Sequence, residues 1–392
     1  MKSGILFILA IMLTSLLQAK SEKLTIRIAE FPVYTPEDAP IYLTGNFNNW
    51  NPADSKYLLK KTAGSYWIKI DIWAIEKLEY KFTRGSWATV EKGINGEEIA
   101  NRIWQKSANK WEIKAKIANW RDFVSEENEQ PHSLTGNIIV QENFYLPQLD
   151  RYRTLRIYLP PDYDSSKNRY PVLYMHDGQN LFDKSTSYAG EWKIDETLEK
   201  HYNQHLKNGV IVVGIDNHSA KRLDEYSPWT NAEYKAGGEG DKYVEFIAET
   251  LKPWIDSHYR TKVEAEFTGI AGSSMGGLIS LYAGARYPQL FSRLGIFSPA
   301  FWFSREEMLA YLTKYPLLKS SRVYIDVGTQ EGDNLQQRDA YLNDARQMYE
   351  FLLKSGLDEK NIRLIISEGD GHNETAWAKR FPAAFLWLWQ DF

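Results

Sequence analysis

The chain has 392 residues, 43% hydrophobic and 25% charged, which is more than one domain normally holds and enough to bury sizeable cores. Its formal charge of −4 supplies no basic field, so neither nucleic acid nor an anionic membrane surface is an expected partner. Zero cysteines exclude disulfides, a thiol nucleophile and a cysteine-based zinc site.

The chain opens with Lys2, an apolar run over 5–13 and a polar boundary after Ala19, which reads as an export signal over 1–19; an uncleaved anchor is the alternative. No later segment approaches the 18 or so apolar residues of a membrane span, so the mature protein is expected to be secreted or periplasmic and off the membrane. From 23 to 118, short alternating runs at 24–28, 41–45, 66–72, 78–82 and 111–115 are separated by turn residues. That spacing predicts a small all-β, immunoglobulin-like antiparallel sandwich.

Within it, TGNFNNWNP (44–52), YKFTRGSW (80–87) and Asn101-Arg102 resemble the starch- and glycogen-binding β-sandwich families. The resemblance implies Trp50 at a sugar-stacking position and Trp67 in the core. The second stacking tryptophan of those families stands a few residues before the Asn-Arg pair, whereas Trp87 lies further upstream. Two readings follow: the domain contacts polysaccharide through Trp50 and Trp87, or it shapes and shields an active site.

Residues 119–133 are polar, acidic and without periodicity, as expected of a linker. From 134 to 392 strand-like runs at 154–159, 171–176, 209–214, 264–271, 293–297, 323–327 and 362–366 alternate with helical patterns, clearest at 242–255 and 339–354. Alternation of this kind predicts an α/β domain with a mostly parallel central sheet covered on both faces.

The stretch 267–277, FTGIAGSSMGG, places Ser274 in G-x-S-x-G between an apolar run and a helix, the sequence form of a nucleophile elbow. A serine nucleophile needs a base. Of seven histidines only His372 follows Ser274, directly after the run 362–366, so its ring belongs at the carboxyl edge of the sheet. The acid that orients it should follow an earlier strand, and the turn after 323–327 offers Glu331 and Asp333. Backbone N–H groups complete such a site: Met275, next to the serine, and Gln179, beside the small Gly178 in the turn after 171–176. His176 precedes the serine and is expected to brace that turn. Trp302, Tyr226, Trp229 and Arg222 follow predicted strands, where a substrate pocket forms, and are candidate substrate contacts.

The segments YPVLYMHDGQN (170–180), GIDN (214–217) with Arg222, Glu225 and Tyr226, GSSMGG (272–277), SPAFW (298–302), GTQE (328–331) and Gly371-His372 together resemble the esterase D-like, carbohydrate esterase family 1-like branch of the α/β-hydrolases. That branch includes feruloyl and acetyl xylan esterases, siderophore trilactone esterases and mycolyltransferases. The resemblance implies a triad of Ser274, His372 and Glu331, oxyanion donors at Gln179 and Met275, and a small-molecule or polysaccharide ester as substrate. Many relatives carry aspartate where Glu331 stands, which keeps Asp333 as the alternative acid. No metal or organic cofactor is required by such a scheme. The competing expectations are a trilactone siderophore esterase and a non-catalytic carbohydrate-binding protein on a hydrolase scaffold.

Overall fold

A computed structural model describes residues 22–390 except 63–64, 74, 95, 97–98, 109, 123–131, 188–189, 205–208 and 333. The expected export signal, most of the linker and Asp333 lie outside the described residues. Contacts divide the chain into two units, Met1–Asn128 and Glu129–Phe392.

The first unit is β-rich, with β1 (Lys23–Glu30), β2 (Tyr42–Gly45), β3 (Lys60–Thr62), β4 (Ser65–Asp71), β5 (Lys77–Thr83), β6 (Glu91–Lys92), β7 (Arg102–Gln105), β8 (Glu112–Lys116) and β9 (Asn119–Trp120). They form sheets of order β3-β4-β1-β8 and β2-β5-β7 with a β6-β9 ribbon. Alternate residues Leu24, Ile26 and Ile28 of β1 meet Leu43, Tyr80 and Phe82 from the other sheet in one core, as period-two alternation requires. Three expectations need correction. The β1–β8 pairing is parallel, so the unit is not wholly antiparallel. Trp67 is half-buried on the outer face of β4, where its indole donates to Thr62 Oγ1 at 3.1 Å; Trp104 and Trp120 are the core tryptophans. The expected linker gives up its first residues, since Asn119 and Trp120 pair with β6.

The second unit contains an eight-stranded sheet, ordered β10-β11-β13-β12-β16-β17-β18-β19. Its strands are β10 (Asn137–Leu146), β11 (Arg151–Leu159), β12 (Val172–His176), β13 (Ile211–Ile215), β16 (Thr268–Ser273), β17 (Arg293–Phe297), β18 (Arg322–Gln330) and β19 (Ile362–Gly371); β14 (Thr230–Asn231) and β15 (Ala236–Gly237) form a separate ribbon. β10 and β11 are antiparallel to their neighbours and the rest are parallel. Every residue of β12, β13, β16 and β17 is buried, the mark of strands covered on both faces. The covering helices are α1 (Ile194–Gln204), α2 (Arg222–Glu225), α3 (Gly240–Glu245), α4 (Lys252–His258), α5 (Met275–Arg286), α6 (Arg305–Lys314), α7 (Leu335–Lys354) and α8 (Glu374–Trp389). A π-helical turn, Phe246–Leu251, joins α3 to α4, so the expected helix over 242–255 is continuous. Because six strands are parallel, the segments after β12, β16, β17, β18 and β19 all emerge at one edge, where ligands of such sheets bind.

Candidate active site

Ser274 stands between β16 and α5 with φ 58° and ψ −120°, a conformation that costs a non-glycine residue on the order of 1–3 kcal/mol. Its main chain is over-determined: the N–H donates to Phe297 O at 2.9 Å, and its carbonyl accepts from Gly277, Leu278 and Ala300 N–H groups at 3.1, 3.2 and 3.0 Å. The two motif glycines are not equivalent. A Cβ on Gly272 would stand 2.9 Å from the His176 ring and 3.0 Å from the Gly276 carbonyl carbon, whereas one on Gly276 meets nothing closer than 3.4 Å. Gly272→Ala is therefore expected to lower the thermal midpoint and the esterase rate together, while Gly276→Ala stays close to wild type; a melt and a turnover assay on both variants check it.

His372 leaves the end of β19 just before the α8 cap residue Asn373, whose side chain accepts from Ala376 N–H. Its Nδ1 lies 3.1 Å from Glu331 Oε2. Glu331 follows β18 and is fully buried, and its Oε1 accepts Ser298 Oγ–H and the Gly328 N–H, both at 2.5 Å. The histidine ring packs against Tyr341 and edge-on to Trp377, at centroid distances of 5.1 and 5.2 Å. Among the described residues Ser274 Oγ has no hydrogen-bond partner, so the Glu331–His372 half of the constellation is formed and the His372–Ser274 half is open. Ligand-free hydrolytic sites often hold that second bond long, and it tightens around substrate.

The turn Gly178–Asn180 after β12 begins at Asp177, which is left-handed with φ 58°. Asn180 and Leu181 N–H groups bond back to Asp177 and Gly178, while Gln179 N–H precedes the first intra-turn acceptor of its own. Met275, the first residue of α5, has an N–H with no intrahelical acceptor for the same reason. Gly178 has to be glycine, since a Cβ there would come within 2.7 Å of the β13 backbone. Asn180 Nδ2 also reaches Glu374 Oε1 at 3.2 Å, tying this turn to the start of α8 beside His372.

The turn is latched by charge. Arg222 donates Nε to Asp177 Oδ1 and Nη2 to Oδ2, both at 2.8 Å, Asn217 adds a bond of 2.6 Å, and Tyr226 bonds both the backbone and the carboxylate of Asp177. Burial works against the Asp177 charge, yet Arg222 holds its carboxyl below the ordinary value. His176 is buried with Nδ1 3.0 Å from Tyr243 Oη, and burial pushes its ring down to about 3, so it is neutral and braces the turn as expected.

The four expected substrate contacts sit in different surroundings. Tyr226 is fully buried, and Arg222 is engaged by Asp177, so both serve the turn. Trp229 packs edge-on to Tyr282 of α5 and Tyr311 of α6. Trp302 remains 38% exposed beside Tyr234, at a ring-centroid distance of 5.3 Å. Burial pushes the hydroxyl of Tyr341, which packs against His372, up to about 12. Sequence reasoning missed Ser298, Tyr341, Trp377 and Arg380; only the SPAFW segment could have pointed to Ser298. In the first unit Trp50 and Trp87 come together at 6.3 Å, with planes 37° apart.

Elsewhere, Glu191, Asp195 and Glu196 bring carboxylate oxygens within 4.8 Å of one another. Burial pushes the Asp195 carboxyl up to about 8, and the group fastens the start of the unit: Ser133 Oγ bonds Glu191 at 2.8 Å and Thr135 N–H bonds Asp195 at 2.6 Å. A cavity of about 900 Å³, lined by Glu264, Arg293, Arg322 and Lys360 among others, opens at the opposite sheet edge, away from Ser274. No helix among the described residues is long and apolar enough to cross a membrane.

A mostly parallel sheet with a strained serine between strand and helix defines an α/β-hydrolase. More narrowly, the chain belongs to the Esterase family described as "Putative esterase", whose model matches residues 147–388. It is 29% identical over 245 residues to the uncharacterized protein YbbA of Bacillus subtilis, covering 60% of this chain and 92% of that protein. It is 23% identical over 282 residues to an endo-1,4-beta-xylanase/feruloyl esterase of Xylanibacter ruminicola, spanning 69% of this chain and 33% of that one. A segment of 106 residues is 39% identical to an alpha-amylase of Niallia circulans, of which it spans 8%. The enterobactin esterase of Shigella flexneri shares the fold at TM-score 0.53 and 14% identity, over 90% of this chain and 88% of that one.

Proposed function

We propose that the protein is an exported serine carboxylesterase that uses Ser274, His372 and Glu331 on acylated carbohydrates or phenolic esters. The observation that carries this reading is the pairing of His372 with buried Glu331 at 3.1 Å on the sheet edge that also carries the strained, partly exposed Ser274. His372 Nε2 takes the serine proton as Oγ attacks the ester carbonyl. The Gln179 and Met275 N–H groups hold the oxyanion, latched in place by Asp177 and Arg222. The protonated imidazole then gives its proton to the departing alkoxide, and water, activated by the same ring, releases the acid.

The substrate class rests on the similarity to a xylanase/feruloyl esterase, on the amylase-like segment and on the Trp50–Trp87 pair, two flat apolar faces suited to a sugar chain. The fold likeness to an enterobactin esterase over 90% of this chain favours a second reading, a siderophore trilactone esterase. An anionic iron complex needs a free cation in the pocket, and Arg222 is committed to Asp177. The full chain is expected to release acetate or ferulate from acylated xylan faster than it opens a trilactone, and the reverse order would reject the assignment. Trp50→Ala should abolish retention on insoluble polysaccharide while leaving p-nitrophenyl acetate turnover unchanged, which a pull-down and a rate measurement on one preparation decide.

A further inference from the structure

We infer that Ser298 is a positioning residue for Glu331: held by Trp377 and Arg380, its hydroxyl dictates which carboxylate oxygen faces His372, and so which ring nitrogen stays free to accept a proton. The inference rests on the serine-esterase reading above.

Ser298 directly follows β17, is completely buried and is left-handed with φ 42°, a conformation uncommon outside glycine. Its N–H donates to Asp326 O at 2.8 Å, which fixes the backbone. The Oγ then meets three groups: Trp377 Nε1 and Arg380 Nη2, each at 2.8 Å, and Glu331 Oε1 at 2.5 Å. An indole and a guanidinium can only donate. They occupy both acceptor positions of the hydroxyl, so its single hydrogen has one destination, Glu331 Oε1. With the Gly328 N–H that oxygen accepts two donors, which leaves Oε2 to His372 Nδ1.

A neutral Glu331 would have to carry its proton on Oε2, aimed at Nδ1. The imidazole would then hold its own proton on Nε2, where it cannot accept from serine. The locked hydroxyl therefore favours both the carboxylate and the productive tautomer. The other charged groups around it are Arg380 of α8, 3.7 Å from Glu331 Oε1, Asp326 of β18, 3.2 Å from Arg380, and Asp370 of β19, 3.7 Å from Arg380. Tyr341 of α7 faces the His372 ring. Burial pushes Asp326 up to about 7, with Arg380 opposing and Glu331 adding to the shift. Arg380 thus stands among three carboxyl groups, those of Asp326, Glu331 and Asp370. Asp370 stays ionised: burial is outweighed by bonds from Lys379 and Ser367.

The test is the pH dependence of kcat and KM for p-nitrophenyl acetate with full-length wild type, Ser298→Ala and Trp377→Phe. Removing a donor from the ionised acid raises the pH at which the site becomes active. Ser298→Ala is expected to lower kcat about 10- to 100-fold with little change in KM, and to move the acidic limb up by about one pH unit. Trp377→Phe keeps a ring against His372 and loses only the indole donor, so a smaller shift in the same direction is expected. A wild-type limb and wild-type kcat in Ser298→Ala overturn the inference. If that variant does not fold, Trp377→Phe decides alone: a shifted limb supports the relay and an unshifted one overturns it. Activity surviving in Ser274→Ala would break the serine reading, a separate outcome from failure of this relay.

Discussion

Ser274→Ala is expected to lower kcat on p-nitrophenyl acetate by about 10⁵-fold or more while the thermal midpoint stays within a few degrees of wild type. The two halves of that expectation have different causes. Without the Oγ there is no acyl-enzyme, and what survives is the catalysis that oxyanion donors and binding supply without a nucleophile, about 10³–10⁴ over water in serine hydrolases. Stability is spared because the side chain holds nothing: the bonds that fix the elbow run from the Ser274 N–H and carbonyl to Phe297, Gly277, Leu278 and Ala300, and all survive truncation to alanine. Alanine also bears the left-handed backbone at a cost similar to that of serine. Turnover within tenfold of wild type in a variant with an unchanged melt would reject Ser274 as the nucleophile.

What the sequence makes legible is whatever chain order and local chemistry encode. The elbow announces Ser274 because its glycines serve a tight turn, and His372 is singled out by being the lone histidine downstream. The partners that hold Glu331 are illegible for a physical reason: Ser298 meets Trp377 and Arg380 across 79 and 82 residues of chain, on contacts no local pattern records. Orientation is a second blind spot. Tyr226 sits in the right segment but turns into the core, and Trp67 lies in the right strand on the wrong face, because a short run gives an alternation without saying which half is inside. The edge strand β10 escaped notice since most of its residues are exposed and a bulge between Gln141 and Phe144 breaks its register. Trp87 shows the converse. Its spacing from Asn101-Arg102 departs from the resembling families, yet the turn that carries it stands next to Trp50.

Glu331→Gln is expected to reduce kcat by about 10³–10⁴-fold with KM nearly unchanged, since the matching change in a serine protease triad costs about 10⁴ through the wrong histidine tautomer. The site has a built-in reason to respond this way. Glutamine keeps an oxygen, and the fixed donors Ser298 Oγ–H and Gly328 N–H will claim it, because an amide NH₂ turned toward them would meet only hydrogens. The NH₂ must therefore face His372 and donate to Nδ1, which puts the ring proton on Nε2, the atom that should receive it from Ser274. Burial leaves no water to relieve the mismatch: Glu331 is fully enclosed. Asp333→Asn, measured beside it, is expected to stay within a few-fold of wild type. Proton NMR adds a signature that kinetics lacks, because the downfield Nδ1–H resonance of a histidine bonded to a carboxylate should be present in wild type and in Asp333→Asn and lost in Glu331→Gln. The opposite pattern, a silent Glu331→Gln and a crippled Asp333→Asn, would transfer the acid's role to Asp333 and take the Ser298 relay out of catalysis with it.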